Sequence, residues 1–209
     1  SGRIRMTPRL ETDGNGIVYP VRGMGQVLRK FGTHPQRRTV VYVVSLAAAA
    51  LATAATLIVA GYGLEAPATV LALAAAAAIA ERSSLRLTKT TELSISGLPA
   101  LFAAVVFGPL AAGVVGAASM LGEPELTSRR DHERAPRLKW ATYTSTRFIV
   151  GAATGLAAQA TIAVVPSEFG GLVAATLVAT LLREILDIAL AVLTVAVRGG
   201  SASGTARSV

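Results

Sequence analysis

The stretch LPALFAAVVFGPLAAGVVGAASML, residues 98–121, decides how this chain folds. It is apolar throughout and long enough to cross a bilayer, since about 20 residues suffice at a rise of about 1.5 Å each. Gly108-Pro109 interrupts it at the centre. Proline removes a helix hydrogen bond and disfavours helix at the residue before it. The block is therefore either one kinked span or a hairpin of two short helices, 98–107 and 110–121.

Charge chooses between them. The chain has 209 residues, of which 52% are hydrophobic and 15% charged, with a net charge of +8. A soluble domain usually carries about 25% charged residues. The charges crowd into 1–38, 81–92 and 123–139, and long apolar blocks separate them. That alternation is the pattern of a polytopic membrane protein. If the basic amino terminus is cytoplasmic, two spans return Arg82, Arg86 and Lys89 to the cytoplasm. A single crossing by 98–121 would then place Arg129, Arg130, Arg134, Arg137 and Lys139 outside, and Arg198 with them. A hairpin keeps all of these inside and leaves outer turns GYGLEAP and PSEFGG, which lack Lys and Arg. The positive-inside tendency thus favours the hairpin. Each arm would reach only about halfway across and must be sheltered by protein.

The remaining blocks follow from this frame. Spans are expected at 39–62, 67–80, 140–165 and 171–197, giving an all-α integral membrane protein of six helices: four full spans and the short hairpin. Residues 1–38 read as a polar cytoplasmic tail, 39–197 as the membrane domain and 198–209 as a flexible tail or linker. Leu85, Leu87, Leu93 and Ile95 alternate with polar residues, predicting extended chain over 83–95. Trp140 and Tyr143 suit an interface, and Gly151 and Gly155 have the GxxxG spacing of close helix contact.

A sequence pI near 10.8 raises the question of nucleic acid. The arginines stand where chain leaves bilayer, so topology accounts for them and nucleic acid is not expected. There is no cysteine, and His34 and His132 are far apart, so no metal site is expected. No nucleophile elbow, phosphate loop or His-based motif is present, so neither an enzyme nor a cofactor is expected.

Four ionisable residues fall inside apolar blocks: Arg147, Arg183, Glu184 and Asp187. Each would cost about 2.5–3.5 kcal/mol unpaired near a helix centre. Arg183 and Asp187 are four apart and Glu184 and Asp187 three apart, so all three are expected on one helix face, with Arg147 on another helix pairing with Asp187 or Glu184. They form either an interhelical ion-pair clamp or the lining of a polar ligand site. Thr142, Thr144, Ser145 and Thr146 either join that site or bond their own backbone.

IAERSSLRL, ELSISGLPALFAAVVFGPLAAGVVGAAS and LKWATYTSTRFIVGAATGLAA resemble a bacterial membrane input module. That module stands at the amino terminus of actinobacterial signalling proteins ending in HD-GYP or GGDEF domains. The shared points are Ala80-Glu81-Arg82 and Phe107-Gly108-Pro109. Glu125-Leu126 and Trp140-Ala141-Thr142-Tyr143 stand where the module has Asp-Leu and Asn-Ala-Ala-Gln. The apolar block also resembles the S-components of ECF vitamin transporters, with Glu123 or Glu125 near their acidic position. The first resemblance implies a non-catalytic sensory or anchoring module in the bacterial cytoplasmic membrane, both termini inside. The second implies a substrate-binding transport subunit. Expected partners are the lipid bilayer and either a cytoplasmic output domain or a coupling subunit, with a homo-oligomer left open.

Overall fold

The computed structural model describes residues 34–83, 97–123 and 137–197, together with four two-residue strands. Six α-helices make up the described architecture. In chain order they are α1 (His34–Val59), α2 (Pro67–Arg82), α3 (Gly97–Val106), α4 (Gly108–Ser119), α5 (Arg137–Val164) and α6 (Glu168–Val197). A 3-10 turn, Met120–Gly122, follows α4. The strands form two antiparallel pairs: β1 (Glu11–Thr12) with β2 (Val18–Tyr19), and β3 (Leu85–Arg86) with β4 (Glu92–Leu93). The extended reading of 83–95 thus meets a paired ladder, Leu85 opposite Leu93. The basic loop 124–136, most of the amino-terminal tail and the tail 198–209 lie outside the described residues.

The chain reverses at Gly108. This glycine has φ +84°, a left-handed conformation that side-chain-bearing residues rarely adopt. Pro109 follows in the first turn of α4, where its missing N–H costs no helix hydrogen bond. Contacts along both arms fix their directions. A side chain at Gly155 would meet Pro109, one at Gly151 would meet Ala112, and one at Gly116 would meet the Arg147 carbonyl. α4 therefore runs antiparallel to α5. Leu101 and Val105 of α3 pack on Ala158 and Ile162 of α5, and on Ala175 and Ala179 of α6. Gly97 meets Arg183 farther along. α3 is therefore antiparallel to α6 and to α4. Residues 98–121 are a hairpin, not one kinked span.

This arrangement gathers the amino ends of α1, α3 and α5 and the carboxyl ends of α2, α4 and α6 at one end of the bundle. Tyr62, just past α1, lies beside Gly108 at the other end. Helix lengths also differ from expectation at their margins. α1 begins at His34, five residues inside the region read as tail, because nothing between His34 and Thr39 except Pro35 in the first turn opposes helix.

Small residues predominate in the interior and many large apolar side chains lie on the surface, although Leu46, Leu57, Leu110 and Met120 are buried. The interior is built from small residues, including Ala77, Ala103, Ala104, Ala111, Ala112, Ala152, Ala158, Ala175 and Ala179. The largest fully buried side chains are Val115 and Pro109. Large apolar side chains face outward instead: Leu51 is 73% exposed, Ile79 67% and Phe169 80%. α4 forms the centre, with nine of its residues buried. At 12 residues it is about 18 Å long, too short to cross a core of about 30 Å. α2, α3 and α5 pack around it.

By length and apolar composition two helices can cross a membrane, Arg38–Val59 and Leu138–Val164. α2 has only 16 residues, and α6, with 30, carries three charges in its second half. The four full spans expected from sequence are thus two at this level.

Candidate functional site

Arg147 of α5 and Arg183 and Asp187 of α6 meet beside the open end of the hairpin. α5 and α6 lie side by side, and Arg147 and Asp187 face each other across their contact. Arg147 Nη1 stands 3.8 Å from Asp187 Oδ2. Arg183 Nε stands 3.6 Å from the same oxygen, one helical turn back along α6. Arg183 Nη1 also donates to the Gly97 carbonyl at 2.6 Å. One carboxylate is therefore shared by two guanidinium groups, and one guanidinium ties α6 to the first residue of the hairpin. Both ion pairs are longer than a direct hydrogen-bonded contact of about 2.7–2.9 Å.

Glycine makes this geometry possible at two places. A side chain at Gly97 would overlap the Arg183 guanidinium. One at Gly116 would come within 2.7 Å of the Arg147 carbonyl oxygen, so α4 and α5 approach backbone to backbone at the cluster. Gly151 and Gly155 continue that seam. The GxxxG spacing thus lies in a helix contact within the chain.

A cavity of about 10 Å³ opens between Arg147, Arg183, Gly116, Ser119 and Thr154. That is room for roughly one water molecule. Ser119 and Thr154 are buried, and each hydroxyl donates to its own helix, Ser119 to Gly116 O and Thr154 to Gly151 O, both at 2.8 Å. Each oxygen keeps acceptor capacity toward the cavity.

Of the four charged residues singled out from sequence, the structure brings together Arg147, Arg183 and Asp187. Glu184 is placed on the exposed side of α6 and makes neither an ion pair nor a hydrogen bond among the described residues. Adjacent helix positions are about 100° apart, which separates Glu184 from Arg183 although they are sequence neighbours. The hydroxyls proposed to join the site mostly serve their own helix: Thr142 donates to Leu138 O at 2.7 Å and Thr146 to Thr142 O at 2.6 Å. Ser145 is buried, and Thr144 Oγ1 is buried without a hydrogen-bond partner. Gly108 and Pro109 lie at the hairpin tip, where Gln159 Nε2 donates to Val105 O at 3.4 Å.

Three features escaped sequence reading. The Gly97 carbonyl is a ligand of Arg183, and its only sequence signal is a glycine at the mouth of an apolar block. Tyr42 and Thr194 share a hydrogen bond of 3.0 Å between α1 and α6. Glu81 is buried at 8% exposure while its neighbour Arg82 is exposed. At the start of α5, Lys139 Nζ lies 5.9 Å from the centre of the Tyr143 ring, with Trp140 exposed beside it. No group of three or more His, Asp or Glu able to hold a metal exists among the described residues.

Comparison with protein-family models, with curated proteins and with solved structures gives no match to this chain.

Proposed function

We infer that this chain is a membrane-embedded sensory or anchoring module of a bacterial signalling protein, non-catalytic in itself, with both ends on the cytoplasmic side. The exposed apolar surface over an alanine-rich interior carries this reading. A bundle with alanine and glycine inside and Leu, Ile, Val and Phe outside has no reason to be stable in water, where the outer side chains would be solvated. In lipid the same surface is matched to its solvent, and close backbone approach supplies the association. On this reading α2 and α6 cross with α1 and α5. The Lys and Arg residues other than Arg147 and Arg183 then fall in segments attached to one end of the bundle, while Glu65 and Glu168 mark the other.

The shared carboxylate suits a sensor because the loss of one charge upsets two contacts at once. Two cations compete for Asp187, the partner of both lies at 3.6–3.8 Å, and one of them also holds the hairpin. Loss of the Asp187 charge leaves Arg147 and Arg183 repelling across the α5–α6 contact. α6 then shifts, and its carboxyl end moves on the cytoplasmic side, where an output domain of the HD-GYP or GGDEF kind would receive the motion. The test is pulsed electron spin resonance between labels on Ser83→Cys and Val197→Cys. Asp187→Asn is expected to change the distance by about 1–2 Å or more, the scale of helix shifts in switching proteins. An unchanged distance distribution rejects the signalling role.

The six-helix layout with both ends on one side also suits a vitamin-binding S-component. The cavity at the cluster holds about one water, which gives that reading less support. A vitamin that raised the thermal stability of the purified chain would favour transport.

A further inference from the structure

Glu184 takes no part in the ion pairs of the cluster, although its charge is felt by the neighbouring Arg183. It sits near the middle of the 30-residue α6, next to exposed Ile185 and within one turn of exposed Leu181 and Ile188. Thr176 and Thr180 lie two turns and one turn before it on the same exposed stripe. Both are satisfied: Thr176 Oγ1 donates to Leu172 O at 2.8 Å and Thr180 Oγ1 to Thr176 O at 2.7 Å. The Glu184 carboxylate has no such partner among the described residues. An ionisable group at this depth is costly against lipid and normally faces a partner.

This chain cannot provide that partner from a second copy. Within 39–81, 98–121 and 140–197 the only basic residues are Arg147 and Arg183. Both are directed at Asp187, with Arg183 held further by Gly97. A neighbouring copy would bring another Glu184 and no cation. The small Thr176 and Thr180 side chains, by contrast, leave room for a helix backbone to come close. We propose that the Thr176–Thr180–Glu184 stripe of α6 docks a transmembrane helix of another protein that carries a Lys or Arg at mid-span. The partner's cation neutralises Glu184, and the flanking Leu177, Leu181 and Ile188 pack around the pair and exclude lipid from it.

The proposal rests on the membrane reading, and the experiment separates the two. The full chain is reconstituted into phosphatidylcholine vesicles with a synthetic Leu/Ala helix of about 20 residues bearing one central Lys. Association is measured by energy transfer, against a control helix with Leu at the centre. The Lys helix is expected to bind the wild-type chain about tenfold or more tightly than it binds Glu184→Gln or Glu184→Leu. The control helix is expected to distinguish none of the three. Both variants keep or raise the apolarity of an exposed position, so gel filtration and helicity should match wild type. Equal binding to all forms, or no Lys-dependent binding, overturns the proposal. Self-association of the chain that Glu184→Leu abolishes overturns it too, by giving the face to a second copy. Failure of the chain to enter vesicles removes the membrane reading and this proposal together.

Discussion

At the residue scale, one carboxylate serving two cations sets the energetics of the cluster. Removing Asp187 exposes both Arg147 and Arg183 as uncompensated charges in a poorly solvated place, while removing Arg147 leaves Asp187 still beside Arg183. The two deletions are therefore unequal and non-additive. Asp187→Ala is expected to lower the denaturation midpoint of the detergent-solubilised bundle, and Arg147→Ala to add little on that background. A coupling of about 0.5–3 kcal/mol in a double-mutant cycle is the range for residues in one ionic network. Fully additive losses would show that the 3.8 Å pair contributes nothing.

Elements obey the small residues placed in them. α4 is central because almost nothing on it is larger than valine, and because glycines at 113 and 116 let Phe148 and the Arg147 backbone come in. Its position depends on the reversal at Gly108, whose φ of +84° a Cβ would oppose. Space is not the obstacle there, since the nearest atoms to such a Cβ are 3.9 and 4.0 Å away. Gly108→Ala therefore isolates backbone strain from crowding. It is expected to destabilise the bundle by about 1–2 kcal/mol, the cost of a left-handed conformation for an L-residue. A thermal midpoint equal to wild type would mean that the turn relaxes without loss. The chemistry that made the hairpin legible was this glycine–proline step plus the basic loop after it. Sequence could choose between a hairpin and a kink only by charge; the antiparallel seam from Gly155–Pro109 to Arg147–Gly116 decides it by contact.

Over the whole molecule the layout predicts sidedness. Gly63 and Ser167 lie at the end opposite Ser83. The chain has no cysteine, so single substitutions report without background. In intact cells an impermeant maleimide is expected to label Gly63→Cys and Ser167→Cys, and to reach Ser83→Cys only after permeabilisation. Labelling of Ser83→Cys from the same side as Gly63→Cys would break the same-end arrangement and the signalling proposal with it.

The apolar blocks, their charged borders and the helix-breaking Gly108-Pro109 pair were enough to give the helices and their number, because each is a local property of consecutive residues. The seam of Gly151 and Gly155 was visible as spacing, and the Arg147–Asp187 encounter as a matching of depths along two helices. Rotation about each helix axis was not visible. Alanine-rich helices are apolar all round and carry no stripe that says which side turns inward. Only packing decided that Glu81 is buried, that Glu184 looks outward and that Arg183 closes on the carbonyl of Gly97.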